Sequence, residues 1–327
     1  MKSVLELQNL SIGYQNKVLL SNINASVVEN ELVVILGKNG IGKSTLIHTI
    51  LGFEKKLNGN VLFFGRNQDE FSTQDLAQKV AVVFPKLQVV PKIKVFEILA
   101  TARIAHHKSL RQLHQNETDF ILETLNFVGI SNLKNCFLSE LSEGQLQLVM
   151  IARALCQDTA LIVLDEPTAN LDLENQYKIY SLLKELKAKT NKSFLMITHD
   201  ADLAMNYADK VWWIENGNLV ENIPEELAFS YQILEKLSGN YLAYNPSTSQ
   251  FQTEISALQQ INVKGNSVYS YWVKRALVRN GFSINENSVN VMEVTENNII
   301  FEAQNFDTIK AFLNYIAHEK YNNNRSE

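Results

Sequence analysis

The chain has 327 residues, 46% apolar and 20% charged, which is enough for about two domains with real cores and argues against global disorder. A net charge of −5 argues against a nucleic-acid binder that relies on bulk positive charge, so no nucleic-acid partner is expected. The two cysteines, Cys136 and Cys156, have neither the number nor the spacing of a zinc site or a disulfide framework, and a reducing cytosol fits them best.

The first residues, MKSVLELQNLSIGY, alternate polar and apolar side chains and lack the continuous apolar core of a signal peptide. No segment approaches the roughly eighteen apolar residues of a membrane span, so any membrane association is expected to come through a partner. VLELQNLSI and KVLLSNINASVV read as strands of an antiparallel pair with one wet face. ELVVILG is a continuous β-branched run ending in glycine, as in a strand buried on both faces, and it leads through KNGIGKS into the helical TLIHTILGF. GNVLFFG (Gly59 to Gly65), KVAVVF (Lys79 to Phe84), ALIVLDE (Ala160 to Glu166) and SFLMITHD (Ser193 to Asp200) are further strands. LENQYKIYSLLKELKAKT lies between the last two, with helical spacing and a lysine-rich end suited to the helix dipole. Strand and helix alternate, so the class is α/β around a mostly parallel sheet. The stretch from about Val95 to Leu155 is mainly helical and predicts a helical subdomain.

VWWIENGNLVE reads as a hairpin turning at Asn216-Gly217. From about Gly239 the composition is richer in Asn, Ser and Gln, and the predicted domains are 1–240 and 241–327. The second is expected to be a small α+β module: a strand (Ile255 to Val263), a helix (Val268 to Asn280), strands VNVMEVT and NNIIFEA, a helix from Asp307 to Ala317, and a frayed NNNRSE tail.

Gly37-Lys38-Asn39-Gly40-Ile41-Gly42-Lys43-Ser44-Thr45 fits G-x-x-x-x-G-K-[ST], with a buried strand before it and a helix after it. Glycines let successive backbone N–H groups turn inward as an anion nest. Lys43 is expected to reach the β- and γ-phosphates as a point charge, and Ser44 to ligate Mg²⁺ through its hydroxyl. In ALIVLDEP, Asp165 ends a hydrophobic strand where a second Mg²⁺ ligand sits in this class of site. Glu166 beside it is placed to take a proton from an attacking water. In LSEGQLQLVMIARAL (Leu141 to Leu155), Ser142 and Gln145 can form a capping box, and the same helix start is a ready anion site.

Tyr14, GKNGIGKST, LSEGQ, LIVLDE, ANLD and His199 follow one another in the order found in ABC transporter ATP-binding subunits, and the first 230 or so residues resemble that family. The resemblance implies an ABC ATPase domain (parallel-sheet core, antiparallel β subdomain and helical subdomain) followed by the small α+β module. It also implies a role for each matched position. Tyr14 would stack on adenine; Gly37, Lys38, Asn39, Gly40, Ile41, Gly42, Lys43, Ser44 and Thr45 would hold the ATP phosphates. Ser44 and Asp165 would hold Mg²⁺, Glu166 would polarise water, and His199 would contact the γ-phosphate. Leu141, Ser142, Glu143, Gly144 and Gln145 form the signature, usually LSGGQ, which in this family binds the ATP of the opposite subunit. Asp172 would belong to the loop that communicates across the dimer.

One position departs from the pattern. Where the family has a glutamine after the strand KVAVVF, this chain has Pro85, whose side chain can neither donate nor accept a hydrogen bond, with Gln88 three residues on. KVFEILATARIAHH is similar to the segment found in importers of iron–siderophore complexes, haem and cobalamin. Val95, Glu97, Arg103 and His106 match, while Ala102 and Ala105 replace a glycine and a proline. The expected function is therefore ATP hydrolysis by a homodimer that drives an integral-membrane permease, and indirectly a solute-binding protein, at the cytoplasmic face of the membrane. Alternatives are a non-transport ABC ATPase and a nucleotide-gated scaffold without turnover, the latter suggested by the missing glutamine.

Overall fold

The computed structural model describes residues 2–14, 17–85, 92–106, 114–238, 242–245, 250–253 and 259–323. They fall into two compact units, Met1–Leu237 and Ser238–Glu327. Each unit has a hydrophobic cluster of its own.

The first unit begins with the antiparallel strands β1 (Ser3–Tyr14) and β2 (Lys17–Val28). β3 (Leu32–Gly37) is buried at every position and runs into α1 (Lys43–Ile50). β4 (Asn58–Phe63) and the two-residue β5 (Arg66–Asn67) return to β1, closing a four-stranded antiparallel sheet in the order β2-β1-β4-β5. β1 is wetted less than its alternation predicts. It lies inside the sheet, and its register shifts between Leu7 and Leu10, which breaks the strict two-residue alternation of faces.

A Ser72–Asp75 capping box starts the short α2 (Thr73–Ala77), which precedes β6 (Val80–Val83). The predicted helical stretch consists of α3 (Val95–Ala102), α4 (Gln115–Val128) and α5 (Glu143–Cys156). Gly129 stops α4 in the left-handed conformation (φ 78°), where a side chain would be strained. β7 (Leu161–Asp165), α6 (Leu173–Lys189), β8 (Ser193–Ile197), α7 (Ala201–Tyr207), β9 (Lys210–Glu215) and β10 (Asn218–Asn222) follow, then α8 (Pro224–Tyr231) and α9 (Ile233–Ser238).

The central sheet has the order β10-β9-β3-β8-β7-β6. β9, β3, β8, β7 and β6 are parallel, and only the edge strand β10 runs antiparallel, from the predicted Asn216-Gly217 turn. β3, β7 and β8 are buried at every position, as strands covered on both faces must be. Because these strands are parallel, the segments after β3, β6, β7 and β8 all emerge at one end of the sheet. Open α/β sheets bind ligands beyond that end.

In the second unit, β11 (Leu242–Asn245) pairs with β12 (Gln250–Thr253), a hairpin that the sequence pattern did not reveal. β13 (Gln259–Lys264), α10 (Val268–Arg279), β14 (Phe282–Ile284), β15 (Val291–Val294), β16 (Ile299–Phe301), β17 (Gln304–Phe306) and α11 (Ile309–Asn323) complete it. The five-stranded sheet has the order β14-β13-β15-β16-β17, with β13 parallel to both of its neighbours. Phe301, Phe306 and Phe312 meet edge to face at the centre of its core. Residues 254–258, where the first strand of this module was expected to begin, and the last four residues of the NNNRSE tail lie outside the described residues, as does residue 240.

Candidate active site

The loop after β3 turns over the amino end of α1. Gly40 (φ 73°) and Gly42 (φ 113°) are both left-handed, and Gly42 caps the helix without using a side chain. Gly37 is needed for a different reason: a Cβ there would come within 2.9 Å of the Ile214 carbonyl on β9. Lys43 is buried. Its Nζ donates to the carbonyl oxygens of Gly37 (2.7 Å) and Lys38 (3.1 Å), which holds the ammonium inside the loop. Burial lowers the Lys43 pKa, opposed by the nearby Glu166 and Asp165 carboxylates.

Those carboxylates come from the end of β7. Asp165 is 5% exposed, and burial together with the neighbouring Glu166 raises its pKa. Glu166 adopts a left-handed backbone (φ 51°), held by its N–H donating to the Ile197 carbonyl on β8 at 3.1 Å. This turn swings the Glu166 side chain toward the segment after β8, where His199 Nε2 lies 2.6 Å from Glu166 Oε1. Asp200 caps α7 by accepting from Leu203 N, which fixes the turn carrying His199.

Tyr14, at the end of β1 and 54% exposed, places its hydroxyl 3.3 Å from Thr45 Oγ1. A cleft of about 470 Å³ gathers these groups: Tyr14, Lys17, Leu19, Asn39, Gly40, Gly42, Lys43, Ser44, Thr45, Glu166 and His199. That volume lies within the range of small-ligand pockets. Lys17 and Leu19 escaped sequence reasoning; they lie at the start of β2 and carry no motif.

The signature residues lie at the start of α5. Ser142 Oγ accepts from Gln145 N (3.3 Å) and Gln145 Oε1 accepts from Ser142 N (3.0 Å), the predicted capping box. Leu141 is half-buried, Ser142, Glu143 and Gln145 are exposed, and Gly144 is buried. A Cβ on Gly144 would lie 3.0 Å from Asn175 Cγ and Nδ2. Asn175 is in turn fixed by Asp172, the cap of α6: its backbone N donates to Asp172 Oδ1 (2.8 Å) and its Nδ2 to Asp172 Oδ2 (3.1 Å). The signature and the Asp172 loop are thus packed through Asn175, a residue that its position three after a capping aspartate could have flagged.

Phe84 and Pro85 follow β6. Gln88 and His107 lie outside the described residues. Arg103 and His106 close the end of the signature helix: Arg103 Nη1 donates to the Cys156 carbonyl (2.9 Å) and His106 Nε2 lies 2.7 Å from the Gln157 carbonyl. Glu97 caps α3, accepting from Lys94 N at 2.8 Å, and Val95 is buried. Arg103 and His106 thus tie the segment after α3 to the end of α5.

Residues 20–169 match the ABC transporter family, and residues 258–317 match the iron ABC transporter C-terminal domain. The siderophore transport system ATP-binding protein YusV of Bacillus subtilis is 31% identical over 69% of this chain and 82% of its own length. The spermidine/putrescine import ATP-binding protein PotA of Spiroplasma citri is 31% identical over 89% of this chain and 78% of its own. The chain belongs to the ABC transporter ATP-binding proteins. Among solved structures, cbiO1 of Clostridium perfringens, part of the transporter complex cbiONQ, superimposes with a TM-score of 0.64 at 27% identity, covering 73% of this chain and 96% of that one. As an ABC ATP-binding protein the chain is an ATP-hydrolysing subunit of a transporter. Among the described residues no helix is long and apolar enough to cross a membrane.

Proposed function

We propose that the chain binds Mg²⁺·ATP in the cleft over α1, hydrolyses it with Glu166 as general base, and closes as a homodimer to drive a permease that imports an iron complex. The observation that carries the hydrolytic part is the 2.6 Å contact between Glu166 and His199 at the rim of the phosphate loop. Two polar groups from different strands converge there, beside the buried Lys43. Glu166 takes the proton of the attacking water, and His199 orients that carboxylate while its ring faces the terminal phosphate. Lys43 exchanges its loop carbonyls for phosphate oxygens, and Tyr14 offers its ring to the adenine.

The metal fits the donors. A hydroxyl and a carboxylate suit a hard cation, and Mg²⁺ takes few protein ligands because phosphates and waters fill the rest. Accordingly, no cluster of three His, Cys, Asp or Glu side chains that could hold a metal occurs among the described residues. Ser44 and Asp165 would hold the ion, which supplies charge neutralisation to the phosphates. In trans, the exposed Ser142 and the amides at the head of α5 meet the partner's ATP, a geometry that a two-fold axis supplies twice. Glu143 is exposed beside that end, so its carboxylate has room to turn to solvent and away from the incoming phosphate.

Iron-complex cargo is supported by the C-terminal match and by the name of the Bacillus subtilis relative. The polyamine name of the Spiroplasma relative supplies the competing cargo. On this reading the permease holds the subunit at the cytoplasmic face and receives cargo from a solute-binding protein. The test is Glu166→Gln, which keeps ATP binding, lowers turnover by about 10²–10⁴-fold, and traps a nucleotide-bound dimer in gel filtration. Undiminished hydrolysis by this variant would refute the assignment. Uptake of radiolabelled iron–siderophore and of spermidine by the co-expressed permease complex decides the cargo.

A further inference from the structure

The environment of the Asp165 carboxylate contains one polar side chain that neither the motifs nor the proposed roles use. His48 sits on α1 four residues after Ser44, one helical turn along, so the two share a face. Its ring lies 6.5 Å from Phe84, which directly follows β6, and 6.1 Å from Phe53; Phe53 and Phe84 are themselves 6.0 Å apart. In the parallel register Val83 lies opposite Leu164, so Phe84 comes level with Asp165. The Phe84 contact therefore draws the imidazole to the β6 side of the Asp165 carboxylate, whereas His199 serves the β8 side. On the β6 flank Pro85 offers no hydrogen-bonding side chain.

We propose that His48 is a positioning residue for hydrolysis: its imidazole, through water, holds the Asp165 carboxylate and the metal's waters on the β6 side, where Pro85 itself offers no hydrogen-bonding side chain. The Phe53 and Phe84 rings fix the imidazole plane, so the donor is set before nucleotide arrives. Such outer-shell groups are worth about 10–100-fold in metal affinity or activity. The inference rests on the proposed reading of the cleft as a Mg²⁺·ATP site.

His48→Phe keeps an aromatic ring between Phe53 and Phe84 and removes both nitrogens; His48→Leu removes them with a different shape; His48→Gln restores an amide. Two readouts are taken on the full-length protein. Steady-state hydrolysis is expected to show kcat reduced about 10–100-fold in the Phe and Leu variants, with KM for ATP within about twofold, and most of kcat recovered in His48→Gln. Mn²⁺ retention by the ATP-loaded Glu166→Gln protein, read by electron paramagnetic resonance, is expected to weaken about tenfold when His48→Phe is added. Wild-type kcat and Mn²⁺ retention in both the Phe and Leu variants, with loss in Gln88→Ala instead, would overturn the proposal. Failure of the underlying reading looks different, because the unmodified protein would then neither hydrolyse Mg²⁺·ATP nor lose turnover on Glu166→Gln.

Discussion

Asp165 illustrates a conflict between stability and function. Its carboxylate is buried beside Glu166, and both effects penalise the charged form, so its folded pKa lies above the unfolded one. A raised carboxyl pKa means that the penalty is present once pH exceeds the folded value and fades as pH falls below it. Asp165→Asn is therefore expected to raise the melting temperature of the nucleotide-free protein at pH 7 by a few degrees, with the gain shrinking toward acid pH. The same variant should lose metal-dependent ATP binding, a trade familiar at active sites. Differential scanning fluorimetry between pH 4 and 8 checks the first part and calorimetric titration the second. At the rim, Tyr14 separates two contributions. Tyr14→Ala should weaken ATP binding by about 5–150-fold, the worth of roughly 1–3 kcal/mol for a base on an aromatic face. Tyr14→Phe removes only the 3.3 Å contact to Thr45 and should bind almost as the parent does. Fluorescent-nucleotide titration distinguishes them.

At the scale of elements, the start of α5 is held by side chains of α6. Gly144→Ala would push its methyl to 3.0 Å from Asn175, and overpacking of this kind costs about 1–3 kcal/mol. Asn175→Ala should relieve most of that loss, because the two substitutions act on one contact and are not additive. Thermal melts of the two single variants and the double variant measure the coupling. An unchanged melting temperature for Gly144→Ala alone would show that Asn175 yields freely. The elements also show what the sequence could and could not tell. β3, β7 and β8 were legible because each is an unbroken apolar run, and the glycine loop, the Asp165-Glu166 pair and His199 because they follow those runs directly. β5, α2, α7, α8, β11, β12, β14 and β17 were not predicted: they span two to eight residues, too few for a period to register. The Glu166–His199 contact was illegible for another reason. It depends on the left-handed turn at Glu166 and on β7 lying next to β8, and strand order has no local signature.

For the whole molecule, the decisive point is that the two units keep separate cores. Neither cluster contains a residue from the other unit, so a chain ending at Leu237 is expected to fold and to bind ATP with a Kd within about twofold of the full-length value. Circular dichroism melts and nucleotide titration of the truncated protein check this. If the second unit instead regulates turnover or stabilises the dimer, truncation will change kcat or dimer yield while leaving the Kd of the monomer intact. Unchanged ATPase, dimerisation and uptake after removal of residues 241–327 would exclude such a role.

Asn175 also has a consequence for sequence drift. Position 144 acquires a side chain most readily where position 175 becomes smaller or turns aside, because the two compete for the same room. The two positions stand 31 apart in the chain, yet among descendants of this fold they should tend to mutate as a pair, a bulkier residue at the first being easiest to accept once the second has been whittled down. Asp172, which anchors Asn175 by two hydrogen bonds, would then be released to vary as well. Drift at one glycine would in this way rewrite the loop beside it.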